Sequence, residues 1–409
     1  MQHNKKKFNG ISTTAIHTAQ NNNNESAHLN PIYASSTFYF NSAEEGMEKF
    51  AHKDKANVYT RWGNPSFKAV EETIEALETF NLLDENNNPL QVKALLHSSG
   101  QAASSTLFLS NLKAGDTILS HHSLYGGSQE SMEKILLHAS IHCILIDFNN
   151  LGLIEKTIQN SSTIKLIHIE TPCNPTLICF DIKSITNIAH KYNIKVSVDN
   201  TVCTPYLQQP FKFGADFVMH STTKFLNGHG NAIGGVLLGR DINFMKTTVW
   251  KWHVLLGGNS NPFDAFLLHQ GIKTVELRMN AHCINVALVA NLLHDHPAVQ
   301  HVNYTGLPSH PQYVIACKQM YKHPPLISFE LKGGLEAGKK FINKLNICVR
   351  AVSLGTLDTL VSHPASMSHF GISRENRILY GITDGLIRMS VGIENFEDLK
   401  ADLLQALSD

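Results

Sequence analysis

Between residues 92 and 220 the chain repeats one local pattern: a short apolar run, a polar break, then a longer amphipathic stretch. Residues 92–96, 117–120, 141–146, 164–169 and 195–198 and Phe217–His220 have the length and composition of strands. Stretches at helical spacing, such as 101–109, 129–137 and 182–192, lie between them. Parallel strands cannot be joined by a tight turn; each needs a crossover, usually a helix. The alternation therefore predicts an α/β fold: a mostly parallel, seven-stranded-type sheet wrapped by helices.

A further helical pattern covers 66–80 and ends before the polar loop at 84–88. The pattern changes after a long helical stretch over 264–294. Strands are expected at Leu326–Leu331, 349–352 and Leu386–Ser390, and helices at 336–344 and 397–407, which makes a smaller α+β domain at the C-terminus. The first sixty residues read as an extended arm, with the asparagine run at 21–24 as a surface loop. The expected organisation is an N-terminal arm over 1–65, an α/β domain over 66–263 and an α+β domain over 264–409. No internal repeat is visible, and 409 residues suffice for two cores.

Lys plus Arg and Asp plus Glu both number 34, so the formal charge is zero and neither a nucleic-acid nor an anionic-membrane partner is expected. The polar, basic first ten residues carry no apolar run behind them, and no stretch reaches the roughly 18 apolar residues of a membrane span. A cytoplasmic location follows as an expectation. The seven cysteines form no Cys-x-x-Cys pair, so free buried thiols and no metal site are expected. The 23 histidines are expected to lift the net charge as pH falls toward 6.

Two strand ends carry the chemistry. The run Lys195-Val196-Ser197-Val198 ends in Asp199, and the next strand leads into Ser221-Thr222-Thr223-Lys224, then Asn227-Gly228-His229-Gly230. Ligands of open α/β sheets bind beyond the carboxyl ends of the strands. Pyridoxal 5′-phosphate (PLP) needs such a pair: a lysine amine to hold it as a Schiff base, and an Asp to keep its pyridine nitrogen protonated. The hydroxyls of Ser221 and Thr223 suit a phosphate. Upstream, a strand, the turn His97-Ser98-Ser99-Gly100-Gln101 and a helical run present a helix N-terminus to an anion, with the N–H groups of Gly100 and Gln101 as donors. Tyr125, in Leu124-Tyr125-Gly126-Gly127, can stack on a flat ring and move protons. Taken singly, each has a plainer reading: a solvated lysine, a helix capped by Ser98 or Ser99, a half-buried tyrosine.

Together these residues resemble the trans-sulfuration, or Cys/Met-metabolism, PLP enzymes from about Ile16 to the C-terminus. The landmarks are Val58-Tyr59-Thr60-Arg61-Trp62-Gly63-Asn64-Pro65, Ser99-Gly100, Tyr125-Gly126-Gly127, Glu170-Thr171-Pro172-Cys173-Asn174-Pro175, Val198-Asp199-Asn200-Thr201, the run from Ser221 to His229, and Arg388-Met389-Ser390-Val391-Gly392. The resemblance implies the aspartate-aminotransferase-like, type I PLP fold. It implies Lys224 as the Schiff-base lysine, Asp199 as pyridinium partner, Asn174 on the ring hydroxyl and Tyr125 as stacking and proton-transfer group. Ser99, Gly100, Gln101, Ser221 and Thr223 would hold the phosphate. Tyr59 and Arg61 would reach the phosphate in a neighbouring subunit, so that catalytic dimers build a homotetramer. Arg388 would clamp the carboxylate of an amino-acid substrate, with Ser353 beside it.

The tail His363-Pro364-Ala365-Ser366-Met367-Ser368-His369 with Thr383 to Arg388 is most like the methionine gamma-lyase branch. That implies γ-elimination, giving 2-oxobutanoate, ammonia and a thiol. Two positions depart from it: Gly127, which is similar to the synthases and cystathionine gamma-lyase, stands where that branch commonly has Cys, and Gln101 stands where the family usually has Met. The alternatives are γ-replacement on O-acylhomoserine, by a cystathionine gamma-synthase or homoserine sulfhydrylase, elimination from cystathionine, and, remotely, a PLP-fold binding protein without catalysis.

Overall fold

The computed structural model describes residues 8–20, 23, 26–51, 57–371 and 373–408. Most of the asparagine run and the first seven residues lie outside these. The larger sheet holds β1 (Lys93–His97), β2 (Thr117–His121), β3 (His142–Ile146), β4 (Ile164–Glu170), β5 (Lys195–Asp199), β6 (Phe217–His220) and β7 (Gly235–Gly239), in the order β1-β7-β6-β5-β4-β2-β3. Strands β2 to β6 pair in parallel. Strand β7 runs antiparallel to both neighbours, β1 and β6. The central strands are buried on both faces, which is why they read as continuous apolar runs rather than alternating ones.

Strand β7 escaped the sequence reading because its ends, Gly235 and Gly239, look like loop. Glycine is needed at its start for contact, since a Cβ on Gly235 would lie 2.2 Å from the carbonyl oxygen of Ser99. The strand and the turn before helix Gly100–Asn111 are thereby pressed together.

The smaller sheet holds β8 (Val299–Asn303), β9 (Leu326–Leu331), β10 (Val349–Arg350), β11 (Leu360–Ser362) and β12 (Leu386–Ser390), ordered β10-β11-β12-β9-β8. It is antiparallel except for the β10–β11 pair. Helices Val275–His294, Gly334–Lys344 and Phe396–Leu407 close a second core around Val289, Leu293, Phe329, Phe341, Ile387 and Leu403. Strands β8 and β11 were not foreseen. The first has two apolar residues in five, and the second is three residues long.

Three other expectations are corrected. The helical stretch over 264–294 is two helices, Pro262–Ile272 and Val275–His294. The carbonyl of Gly271 leaves the helical ladder and accepts instead from Thr274 N–H (3.3 Å) and Arg278 Nη2 (2.8 Å). The helix expected over 129–137 is carried by Gly126–Glu130 and Leu136–His138, joined by a wider π turn, Ser131–Ile135. The first sixty residues are not extended throughout: Ile11–His17 and Ala43–Ala51 are helical. Ala15 sits in the main core, and Ser12 bonds Glu276 on the long helix.

Burial also changes the charge reading. Ten histidines (97, 121, 168, 253, 269, 282, 310, 323, 363 and 369) are shifted down, each chiefly by desolvation, so they stay neutral where exposed ones begin to charge. All seven cysteines are free; five are buried, but Cys317 is exposed and Cys143 partly so. Among the described residues no helix is long and apolar enough to cross a membrane, and no group of three His, Cys, Asp or Glu is placed to hold a metal.

Candidate active site

The carboxyl ends of β1, β2, β4, β5 and β6 open on one cleft of about 1260 Å³, and β12 closes it from the smaller sheet. Ser99, Gly100, Gln101, Tyr125, Asn174, Asp199, Ser221, Thr223, Lys224, Ser353 and Arg388 all line it. Tyr59 and Arg61 do not. Arg61 lies over the Tyr59 ring and donates from Nη1 to the carbonyl of Val254 at 3.1 Å.

Most of these residues are placed by strand ends of the larger sheet. After β1, Ser99 takes an extended backbone and caps helix Gly100–Asn111, accepting from Ala102 N–H at 3.1 Å. The cap and anion readings of this turn are compatible, because one hydroxyl satisfies one of several free N–H groups. After β5, Oδ1 of Asp199 accepts from both the N–H (3.0 Å) and the hydroxyl of Thr201. Among the described residues Oδ2 has no such donor. Thr201 Oγ1 in turn accepts from Ser221 N–H at 2.8 Å, which locks the end of β5 to the turn after β6. Burial pushes the Asp199 carboxyl up, and the Thr201 hydrogen bonds pull it back.

Beneath this lies a buried polar network. Glu78 Oε1 meets His220 Nε2 at 2.6 Å and accepts from Asn200 Nδ2 at 3.1 Å, and Gln208 Nε2 donates to Asn200 Oδ1 at 3.0 Å. It fixes the residues next to Asp199 and Ser221.

Lys224 Nζ donates to Ser353 Oγ at 2.8 Å. Burial, then the nearby Arg388 charge, lowers the pKa of its amine, which favours the neutral, nucleophilic form. Arg388 comes from the middle of β12 and is only 6% exposed. Its Nη2 donates to Ser353 O at 2.7 Å and its Nη1 approaches Asn174 Oδ1 at 3.5 Å, while Nε is buried with no partner among the described residues. A buried guanidinium with an idle donor suits an incoming carboxylate. The Thr223 hydroxyl is engaged with both N–H and C=O of Gly234 (3.0 and 3.2 Å). The Tyr125 ring stands 51% exposed in the cleft.

Sequence reasoning passed over two residues. Thr201 and Glu170 both lie in quoted motifs, and Glu170, like Asp199, is an acid at a strand end, which was the available signal.

The cradle fits PLP on its own geometry. It offers a capped helix N-terminus pressed against the glycine of β7, a carboxylate with one oxygen free, a nucleophilic amine and a buried cation. Fold and donor set define a fold type I PLP enzyme. The Cys/Met metabolism PLP-dependent enzyme model matches residues 12–408. The chain is 42% identical to an L-methionine gamma-lyase of Porphyromonas gingivalis over 97% of both chains. It is 34% identical to an O-succinylhomoserine sulfhydrylase of Pseudomonas aeruginosa, over 97% of this chain and 94% of that one. A solved cystathionine gamma synthase from Xanthomonas oryzae superposes with a TM-score of 0.89 at 34% identity, covering 97% of each chain. The chain belongs to the Cys/Met metabolism family of PLP-dependent enzymes, and PLP is its cofactor.

Proposed function

We propose that this enzyme catalyses γ-elimination from sulfur amino acids, converting methionine and water to 2-oxobutanoate, ammonia and methanethiol. Full-length likeness to an L-methionine gamma-lyase carries this reading. The division of labour is the one the family resemblance implies, supported by the placing of its residues in one cleft. Lys224 would hold PLP and accept the substrate α-proton at Nζ. Asp199 would pair with the ring nitrogen, Asn174 would bond the ring hydroxyl, and Ser99, Gly100, Gln101, Ser221 and Thr223 would hold the phosphate. Arg388 binds the substrate carboxylate with Ser353 beside it, and Tyr125 gives a proton to the departing sulfur. PLP, when bound, stores the electrons released at the α-carbon in its ring.

A second reading, γ-replacement on an O-acylhomoserine, is favoured by Gly127. A Cβ there would stand 2.7 Å from Tyr125 Cε1 and 2.9 Å from Gln101 Nε2, so the Gln101 amide takes space that a larger residue at 127 would use. A pocket difference of this size is worth about 1–3 kcal/mol between substrates. The deciding experiment compares kcat/KM for 2-oxobutanoate release from methionine with that for product formation from O-acylhomoserine plus cysteine or sulfide. Methionine is expected to be favoured; a roughly tenfold excess of the second, about 1.4 kcal/mol, assigns the enzyme to γ-replacement.

The site is also shared between subunits in this reading. Tyr59 and Arg61, on the arm over 1–65, reach a neighbour's phosphate, the units over 66–263 and 264–409 form the rest of each subunit, and catalytic dimers pair into a cytoplasmic homotetramer. Support comes from the apolar surface beside these residues, where Tyr39, Met47, Phe50, Leu255 and Leu256 are exposed. Arg61→Ala is expected to weaken PLP binding. Mixed with inactive Lys224→Ala, it is expected to recover part of the activity in hybrid dimers; no recovery after verified subunit exchange rules out a shared site.

A further inference from the structure

Glu170 ends β4 and is the register partner of Asp199 on β5, so two carboxylates stand side by side at the mouth of the cleft. The residue is 5% exposed. Burial, then the Asp199 charge, pushes its carboxyl above the usual range, which makes a carboxylate here costly. Two hydrogen bonds from different loops offset part of that cost, and with both in place the carboxyl is still pushed up to about 8. Tyr125 N–H donates to Oε2 at 2.6 Å, and Asn174 N–H donates to Oε1 at 3.0 Å. The backbone of Glu170 is itself held by His121, whose Nε2 accepts its N–H at 2.9 Å. The far side of the Tyr125 peptide is fixed too, since its carbonyl accepts from Ser128 and Gln129 N–H.

We propose that Glu170 is a positioning residue: one buried carboxylate that sets the Tyr125 phenol and the Asn174 amide relative to each other by holding both backbone N–H groups. It rests on the reading of Tyr125 as proton donor to the leaving group. The residue type follows from the geometry. A carboxyl group can accept on both oxygens, most strongly when ionised and still through the hydroxyl lone pairs when protonated; an amide presents one acceptor and one NH2, so one of the two N–H groups would face another donor. A loop displacement of a fraction of an ångström at Tyr125 then acts on the proton transfer rather than on binding.

Glu170→Gln is isosteric and removes one of the two bonds. In the PLP-loaded enzyme it is expected to lower kcat by roughly tenfold or more, leave KM within roughly threefold, and alter the visible circular dichroism of the bound cofactor. Glu170→Asp, too short to reach both loops, is expected to act in the same direction. Tyr125→Phe separates the two layers of the argument. A Tyr125→Phe enzyme with unchanged kcat overturns the reading of Tyr125 itself. A slow Tyr125→Phe enzyme beside Glu170 variants with unchanged kcat and dichroism overturns the role of Glu170, and so does a loss confined to thermal stability. The unaltered holoenzyme gives a measurement independent of folding in any variant: the amides of Tyr125 and Asn174 are expected to be protected from hydrogen exchange, and exchange at the rate of open loop amides overturns the proposal.

Discussion

Lys224→Ala is expected to lose at least roughly 10³-fold in kcat, about 4 kcal/mol of transition-state stabilisation. The size of the effect follows from the position of the amine. Nζ lies in the cleft, 2.8 Å from Ser353 Oγ, and its pKa is lowered by burial and then by the Arg388 charge. In the proposed division of labour, removing it takes away the covalent anchor and the α-proton acceptor together. The cradle made by Ser99, Gly100, Gln101 and Ser221 remains, so the variant is expected to bind PLP without the visible absorption of a lysine-linked cofactor. Added methylamine is expected to restore a measurable part of the rate, because a small free amine can enter the space that Lys224 vacates. Steady-state kinetics and an absorbance scan of the same preparation check both halves. A variant with near-normal kcat assigns the proton transfer to another group.

Arg388→Ala is expected to cost kcat/KM nearly as much, on the order of 10³-fold, mostly through KM. The guanidinium is buried, and without it a substrate carboxylate is buried with no guanidinium counter-charge, an unfavourable burial of several kcal/mol. Arg388→Lys is the sharper test. It keeps the charge but loses the planar fork, leaving the Ser353 carbonyl and the Asn174 amide without one donor each. One charge-assisted hydrogen bond is worth about 1.5–3 kcal/mol, so a fall of roughly 10- to 100-fold is expected. Equal losses for Lys and Ala show that geometry, not charge, carries the binding. No loss for Lys contradicts the bidentate clamp. Substrate titrations of both variants supply the comparison.

The parts of this enzyme that were readable in its sequence are those where local chemistry and fold agree. Strands β4, β5 and β6 are apolar runs with an acid or a hydroxyl turn at the end, so pattern and site were visible together. Strand β7 was hidden because its glycines serve a contact with Ser99 that has no local signature. The break at Lys273 was hidden for the same reason: the donor that takes the carbonyl of Gly271 is Arg278, one turn into the next helix. Thr201 and Glu170 went unassigned because their partners Ser221 and Tyr125 come from the ends of other strands, and only Asn174 is near in sequence. Eleven of the thirteen residues expected in the site line one cleft. The other two, Tyr59 and Arg61, owe their expected role to a second subunit, and one chain's fold does not bear on that.

The histidines carry the same lesson in reverse. Composition treats all 23 as alike. Burial sorts them, and buried rings such as His121, which accepts the Glu170 N–H, act as fixed neutral partners.

Borohydride reduction of the PLP-loaded enzyme, followed by peptide mapping, tests the assignment on which every other role depends. The expected result is a single pyridoxyl label on Lys224, in the tryptic peptide from Phe213 to Arg240 that the blocked lysine leaves uncut. A label on any other lysine, with Lys224 unmodified, contradicts the account.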